Sequence, residues 1–192
     1  MDEIRVMIAI PTLDYIPYKF VESLVGLTDH LHNKGIEHDV IFQGGTLVYM
    51  GREALCKKML SGYYSHMLWL DADMTFGADI LDKMLDDDLD FVTGVYRGRH
   101  GEHKYCLFEK LLPEKRFEAL PNKIFEVAGC GFGCVLVKRK LLERVKDVHH
   151  TWFTPSSFFG EDVAFCDRVD KIGVKMWCDP DVKCGHIALK EV

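Results

Sequence analysis

Short apolar runs alternate with amphipathic stretches through the first half of this chain. Residues 6–10 are wholly apolar and stop at Pro11, which predicts a buried strand. Residues 18–32 set Phe20, Leu24, Leu27 and Leu31 at helical spacing, and Asn33-Lys34-Gly35 supplies a helix stop. A second strand is expected over 38–42, broken by Gly44-Gly45, and a second helix over 51–60, closed by Ser61-Gly62. A third strand over 66–70 runs into Asp71-Ala72-Asp73, and a third helix over 78–85 leads to a fourth strand over 91–96. This β-α-β-α-β-α-β order predicts an α/β fold with a mainly parallel sheet flanked by helices.

The pattern changes after residue 100. Strand-like runs at 105–108, 124–128 and 134–138 have no full helices between them, so a small antiparallel addition is expected. A short helix over 139–145, a loop at Phe158-Phe159-Gly160, a helix from Glu161-Asp162 to about 172 and a short strand over 174–177 follow. Cys184-Gly185-His186 falls in the tail.

Composition narrows the function classes. Acidic residues outnumber basic ones 30 to 24, a net charge of −6, so the chain has no general attraction for nucleic acid and must meet any anionic ligand locally. The start of the chain is charged and no apolar run is long enough to span a bilayer, so a cytoplasmic location with reduced thiols is expected. The seven cysteines are scattered without two properly spaced ligand pairs; they read as small buried hydrophobes rather than a zinc site.

Four groups of residues carry candidate chemistry. Asp71 and Asp73 sit two apart at the end of an apolar strand, where side chains two apart point the same way, so both carboxylates converge on one point. Beyond the carboxyl end of a parallel strand, such a pair suits Mg²⁺ or Mn²⁺ completed by phosphate oxygens. The plainer alternative has one aspartate capping the next helix and the other solvated. His186 offers an imidazole that suits Mn²⁺. Glu161 and Asp162 open a helix, whose field lowers a carboxylate's pKa; they either cap that helix or supply an ionised base for an attacking hydroxyl. Arg52, Arg97 and Arg99 lie near strand ends or a helix start, as phosphate-binding arginines do.

The order of these segments resembles a family. Ile10-Pro11-Thr12, Gly51-Arg52-Glu53-Ala54, the 66–74 segment ending in Asp71-Ala72-Asp73-Met74, the glycine-rich Gly129-Cys130-Gly131-Phe132-Gly133, then Phe159-Gly160-Glu161-Asp162 and Cys184-Gly185-His186 together resemble a GT-A-fold glycosyltransferase, nearest the compact bacterial or phage versions of family 2. The resemblance covers residues 5 to 186. It implies one catalytic domain over 1–192, with a nucleotide-binding half to about residue 100 and an acceptor-side half after it.

The resemblance also implies roles. Asp71, Ala72 and Asp73 match the metal and diphosphate motif, Pro11, Thr12, Asp14 and Arg52 the nucleotide site, Asp162 with Glu161 the base, and His186 a third metal ligand. The cofactor implied is Mn²⁺ or Mg²⁺. The donor implied is a nucleotide-sugar, a UDP-sugar above all, and the acceptor a carbohydrate, lipid or protein hydroxyl attacked with inversion. The 129–133 glycines would give room near the donor sugar, and Trp152, Phe153, Phe158 and Phe159 would either stack on a sugar or pack in the core. No Gln-x-x-Arg-Trp motif is present, so processive synthesis is not expected. The rival classes are a nucleotidyltransferase, whose glycine-rich, lysine-containing first loop is absent, and a non-catalytic nucleotide-sugar-binding protein.

Overall fold

The structure, a computed structural model, describes residues 4–13, 15–98 and 104–187. Asp14 and Arg99, both singled out above, lie outside them. The first half contains β1 (Arg5–Pro11), α1 (Tyr18–Asn33), β2 (Glu37–Gln43), α2 (Val48–Ser61), β3 (His66–Leu70), β4 (Met74–Phe76), α3 (Ile80–Asp86) and β5 (Phe91–Val95). The second contains β6 (Leu107–Lys110), β7 (Lys115–Arg116), β8 (Phe125–Val127), β9 (Gly129–Cys130), β10 (Cys134–Lys138), α4 (Arg139–His149), α5 (Glu161–Lys171) and β11 (Met176–His186).

The main sheet has the order β2-β1-β3-β10-β5-β11-β4, with β8 also paired to β11. β1 is parallel to β2 and β3, and β11 is parallel to β5. β10 is antiparallel to both β3 and β5, so those two strands share one direction without touching. The sheet is mainly parallel, as expected, with β10 reversed inside it and β4 antiparallel at its edge. The expected antiparallel addition is the separate β7-β6-β9 sheet together with β8.

Strand alternation sorts the core into two layers. Val6, Ile8 and Ile10 of β1 face α1 and α3, packing with Phe20, Leu24, Leu27, Leu31, Leu81 and Met84. Met7 and Ala9 face the other side, where Leu55, Met59, Leu141, Val145, Phe153 and Phe165 come from α2, α4, α5 and the loop before α5. The α1 spacing at 20, 24, 27 and 31 thus buries one stripe, and Gly35, with φ +68°, makes the tight exit into β2. At the other end of α2, Arg139 donates to the carbonyls of Met59, Leu60 and Gly62 at 2.6–3.1 Å, satisfying carbonyls that a helix end leaves unpaired.

Two boundaries differ from the sequence reading in ways that matter for the site. α2 begins at Val48, so Arg52 lies in its second turn and not at its start. β11 extends to His186, far beyond residue 177. The register shifts between Cys178 and Lys183, where Asp181 N–H bonds Asp179 Oδ1. Beyond that irregularity the strand re-aims onto β4, pairing Cys184 with Phe76, Gly185 with Thr75 and His186 with Met74. No helix of the described residues is long and apolar enough to cross a membrane.

Candidate active site

A cleft of about 760 Å³ opens at the carboxyl-terminal edge of the parallel strands. Pro11 and Thr12 from the end of β1, Gln43 from the end of β2, and Leu47, Val48, Gly51 and Arg52 around the start of α2 form one side. Asp71, Ala72 and Asp73 after β3, Glu161 at the head of α5 and Ile187 after β11 form the other. The walls near Leu13, Tyr15, Pro17, Leu47 and Val48 are apolar, and the far end is acidic around Arg52. The fold thus brings together all the described residues that the sequence reading put at the nucleotide site.

The two aspartates are not arranged as strand periodicity predicts. β3 stops at Leu70, and 71–73 is a turn in which Met74 N–H bonds the Asp71 carbonyl at 3.1 Å. Two-residue alternation holds only in extended backbone, so each side chain takes its own partner. Asp71 Oδ1 accepts from Arg52 Nη2 at 2.9 Å, and Asp73 Oδ2 lies 3.3 Å from His186 Nε2. Among the described residues no three His, Cys, Asp or Glu side chains gather into a complete metal site. The proposed Asp71, Asp73 and His186 triad is therefore divided: Asp73 and His186 meet, and Asp71 is engaged by Arg52.

The register of β11 on β4 carries His186 to the turn, and Ile187 N–H bonds the Asp73 carbonyl at 2.8 Å. His186 Nδ1 lies 3.0 Å from the Arg97 carbonyl, which can only accept, so Nδ1 carries a proton. In the neutral ring, Nε2 then presents its lone pair to a carboxylate oxygen. Two acceptors at that separation need a shared cation between them, either a proton or a metal ion. A ligating histidine whose other nitrogen is held by a carbonyl is a common metal-site arrangement, and the imidazole–carboxylate set fits Mn²⁺.

Arg52 is 3% exposed, and its guanidinium lies 5.2–5.8 Å from the ring centroids of Trp69, Phe132 and Phe153. Its Nε and Nη1 have no hydrogen-bond partner among the described residues. Asp71 is pulled two ways. Burial raises its pKa above the usual carboxylate range, Arg52 lowers it, and the charges of Asp162 and Glu161 raise it again.

Glu161 and Asp162 occupy the first turn of α5, where Asp162 Oδ1 accepts the Val163 N–H at 2.8 Å. The helix-field argument predicts a lowered pKa for Asp162, and the structure reverses it. Burial is the largest influence and Glu161 adds to it, so the pKa is raised despite the Val163 bond and the Arg52 charge. Glu161 lines the cleft, and its neighbour Asp162 is half-buried.

The remaining candidates divide cleanly. Arg97 uses its carbonyl on His186 and its guanidinium on Tyr105, 4.5 Å from that ring. Gly131 and Gly133 do not leave room for a sugar: a Cβ on Gly131 would overlap Tyr96 Oη, and one on Gly133 would lie 2.8 Å from Tyr96 Cζ. Trp152 and Phe153 are buried in the core, while Phe158 is 80% exposed at a loop.

Two residues were not foreseen. Glu53 Oε1 accepts from Thr151 Oγ1 and from the amides of Trp152, Phe153 and Thr154 at 2.5–3.2 Å, tying α2 to the loop before α5. Tyr96 packs beside His186, and the spaced glycines at 131 and 133 were its only trace in the sequence.

No protein-family model and no curated protein matches the chain. Solved structures do. A197 from STIV aligns with TM-score 0.68 and 21% identity over 97% of this chain and 87% of that one. The catalytic domain of Drosophila beta1,4-galactosyltransferase 7, solved with xylobiose, aligns with TM-score 0.60 and 15% identity over 97% and 71%. GalNAc-T7, solved with UDP, GalNAc and Mn²⁺, aligns with TM-score 0.63 and 10% identity over 99% of this chain and 45% of that one. At such identities the likeness is one of fold, and the fold of this chain is that of the GT-A-like glycosyltransferase catalytic domains.

Proposed function

We propose that the chain is a glycosyltransferase of the compact family 2 type. It moves a sugar from a nucleotide-diphosphate donor, a UDP-sugar, to an acceptor hydroxyl with inversion. The observation that carries this reading is the meeting of Asp73 and His186 at the acidic end of the cleft, 3.3 Å apart with the imidazole oriented by Arg97. That pair would hold Mn²⁺ or Mg²⁺, with Asp71 nearby and phosphate oxygens completing the shell. A divalent ion there neutralises the diphosphate leaving group.

The chain's own residues supply the rest. Pro11, Thr12 and the apolar wall seat the nucleoside, and Asp14 belongs to the same loop. Arg52 pairs with Asp71 and opposes the effect of burial on its carboxyl. Asp162, its pKa raised by burial, takes the proton of the acceptor hydroxyl as that oxygen attacks the anomeric carbon from the face opposite the diphosphate. Glu161, on the cleft surface, positions the acceptor. The donor fills the half built from residues up to about 100, and the acceptor approaches over the later half.

Calorimetry with UDP and Mn²⁺ tests the reading. Wild type should bind UDP more tightly with the cation than without it, and Asp73→Ala should lose that Mn²⁺-dependent binding. Equal binding by both proteins sinks the cation-site claim. Product analysis with a doubly labelled donor asks whether sugar or nucleotide is transferred, which separates glycosyl transfer from nucleotidyl transfer.

A further inference from the structure

Tyr96 follows β5, is 6% exposed and lies against His186. Its phenol oxygen accepts the Gly133 N–H at 3.0 Å. The Gly133 carbonyl in turn accepts the Asp71 N–H at 3.2 Å. The Tyr96 ring stands edge-on to the His186 ring, with centroids 5.7 Å apart and planes at 85°. The next residue, Arg97, gives the carbonyl that holds His186 Nδ1. One dipeptide therefore touches His186 twice and reaches Asp71 through a single peptide group.

The chain makes room for this ring. Neither Gly131 nor Gly133 could carry a Cβ without meeting it, and Met74, the β4 partner of His186, closes the same space against Gly133. Burial raises the phenol's pKa well above its ordinary value.

We infer that Tyr96 is a positioning residue, which fixes the His186 ring against the 71–73 turn so that Asp73 and His186 present one binding point. These two residues are 113 positions apart in sequence; the register of β11 on β4 brings the backbones together, and the ring and the Arg97 carbonyl set the direction of the imidazole. The inference rests on the reading of that pair as a cation site.

The test uses the full chain, with Tyr96→Phe, Tyr96→Leu and Gly131→Ala, each first confirmed as folded by thermal denaturation. Tyr96→Phe keeps the ring and removes the Gly133 bond; Gly131→Ala displaces the ring and leaves Tyr96 intact. UDP affinity in the presence of Mn²⁺ should fall about tenfold in Tyr96→Phe, the scale typical of losing a support to a metal ligand, and further in Tyr96→Leu. UDP affinity without Mn²⁺ should not move. In metal-free protein, ¹⁵N spectra should show His186 in one tautomer in wild type, protonated at Nδ1, and a mixture in Tyr96→Leu and Gly131→Ala.

Wild-type Mn²⁺-dependent affinity together with wild-type ¹⁵N shifts in the folded variants overturns the inference. If wild type itself binds no UDP with Mn²⁺, the functional reading fails. The spectra then decide the role of Tyr96 alone, with changed shifts supporting it and unchanged shifts overturning it. If Tyr96→Leu does not fold, Tyr96→Phe and Gly131→Ala carry the same decision.

Discussion

Arg52 places Nη2 2.9 Å from Asp71 Oδ1 while the rest of its guanidinium faces aromatic rings. The side chains differ in exposure: 4% for Arg52 and 29% for Asp71. The cation is thus sealed in the wall and the anion looks into the cleft. Removing the arginine leaves a half-buried carboxylate without its main counter-charge. Arg52→Ala should cost about 2–3 kcal/mol, below the range for fully buried pairs because Asp71 is partly wet. It should also raise the Asp71 pKa further. Chemical denaturation and a carboxyl-carbon NMR titration check both effects; an unchanged Asp71 titration shows that the pair carries little.

Glu53 stands one residue along the helix and does different work. A single oxygen holds three consecutive amides and one hydroxyl. Glu53→Ala would strand those donors beneath the surface, at a cost of about 2–3 kcal/mol. Hydrogen exchange at Trp152, Phe153 and Thr154 should quicken well before exchange in β1 and β3. Equal protection in wild type and variant refutes this.

Asp162→Asn should keep the donor affinity and lower the transfer rate by about 10²-fold or more, the usual contribution of a general base. Because burial raises the Asp162 pKa, the acidic limb of the wild-type rate profile should lie above the ordinary carboxylate range. A pH–rate profile measures it. Full activity in the variant reassigns the base, with Glu161 next in line.

Asp87 gives a pH test away from the cleft. Burial, Asp179 and Asp86 raise its pKa from 3.8 to about 6, and its Oδ2 has no hydrogen-bond partner among the described residues. The folded state therefore holds this proton more tightly than the unfolded chain. The stability so gained is complete below 3.8 and is lost as pH rises through about 6. Asp87→Asn should stabilise the protein by about 1 kcal/mol at pH 7.5, after allowing for solvent screening, and by almost nothing at pH 3.5. Urea melts at the two pH values check the difference; the same shift at both refutes the assignment.

Local pattern carried the early elements well. The α1 stripe and the apolar runs of β1, β3 and β10 are periodic and long enough to read directly, and the ordered motifs pointed to the right fold. The failures share a cause: each depended on something distant in sequence. β11 has no apolar alternation across Asp179-Pro180-Asp181, so its reach to His186 could not be read until β4 was known to receive it. The convergence of Asp71 and Asp73 assumed a strand where the backbone turns. The direction of the Asp162 shift depended on burial, which the helix start does not reveal. Tyr96 and Glu53 matter through partners 37 and about 100 positions away.

The position of β10 bears on how the chain can be assembled. Strands β3 and β5, read early from the amino terminus, both wait for a partner whose residues, 134–138, come much later. A fragment ending near residue 98 would leave the inner edge of each strand unpaired, with apolar Met67, Leu68, Phe91 and Val92 beside it. Such edges template association between chains. The two halves of this sequence interlock in one sheet, with the reversed strand of the second lying between two strands of the first.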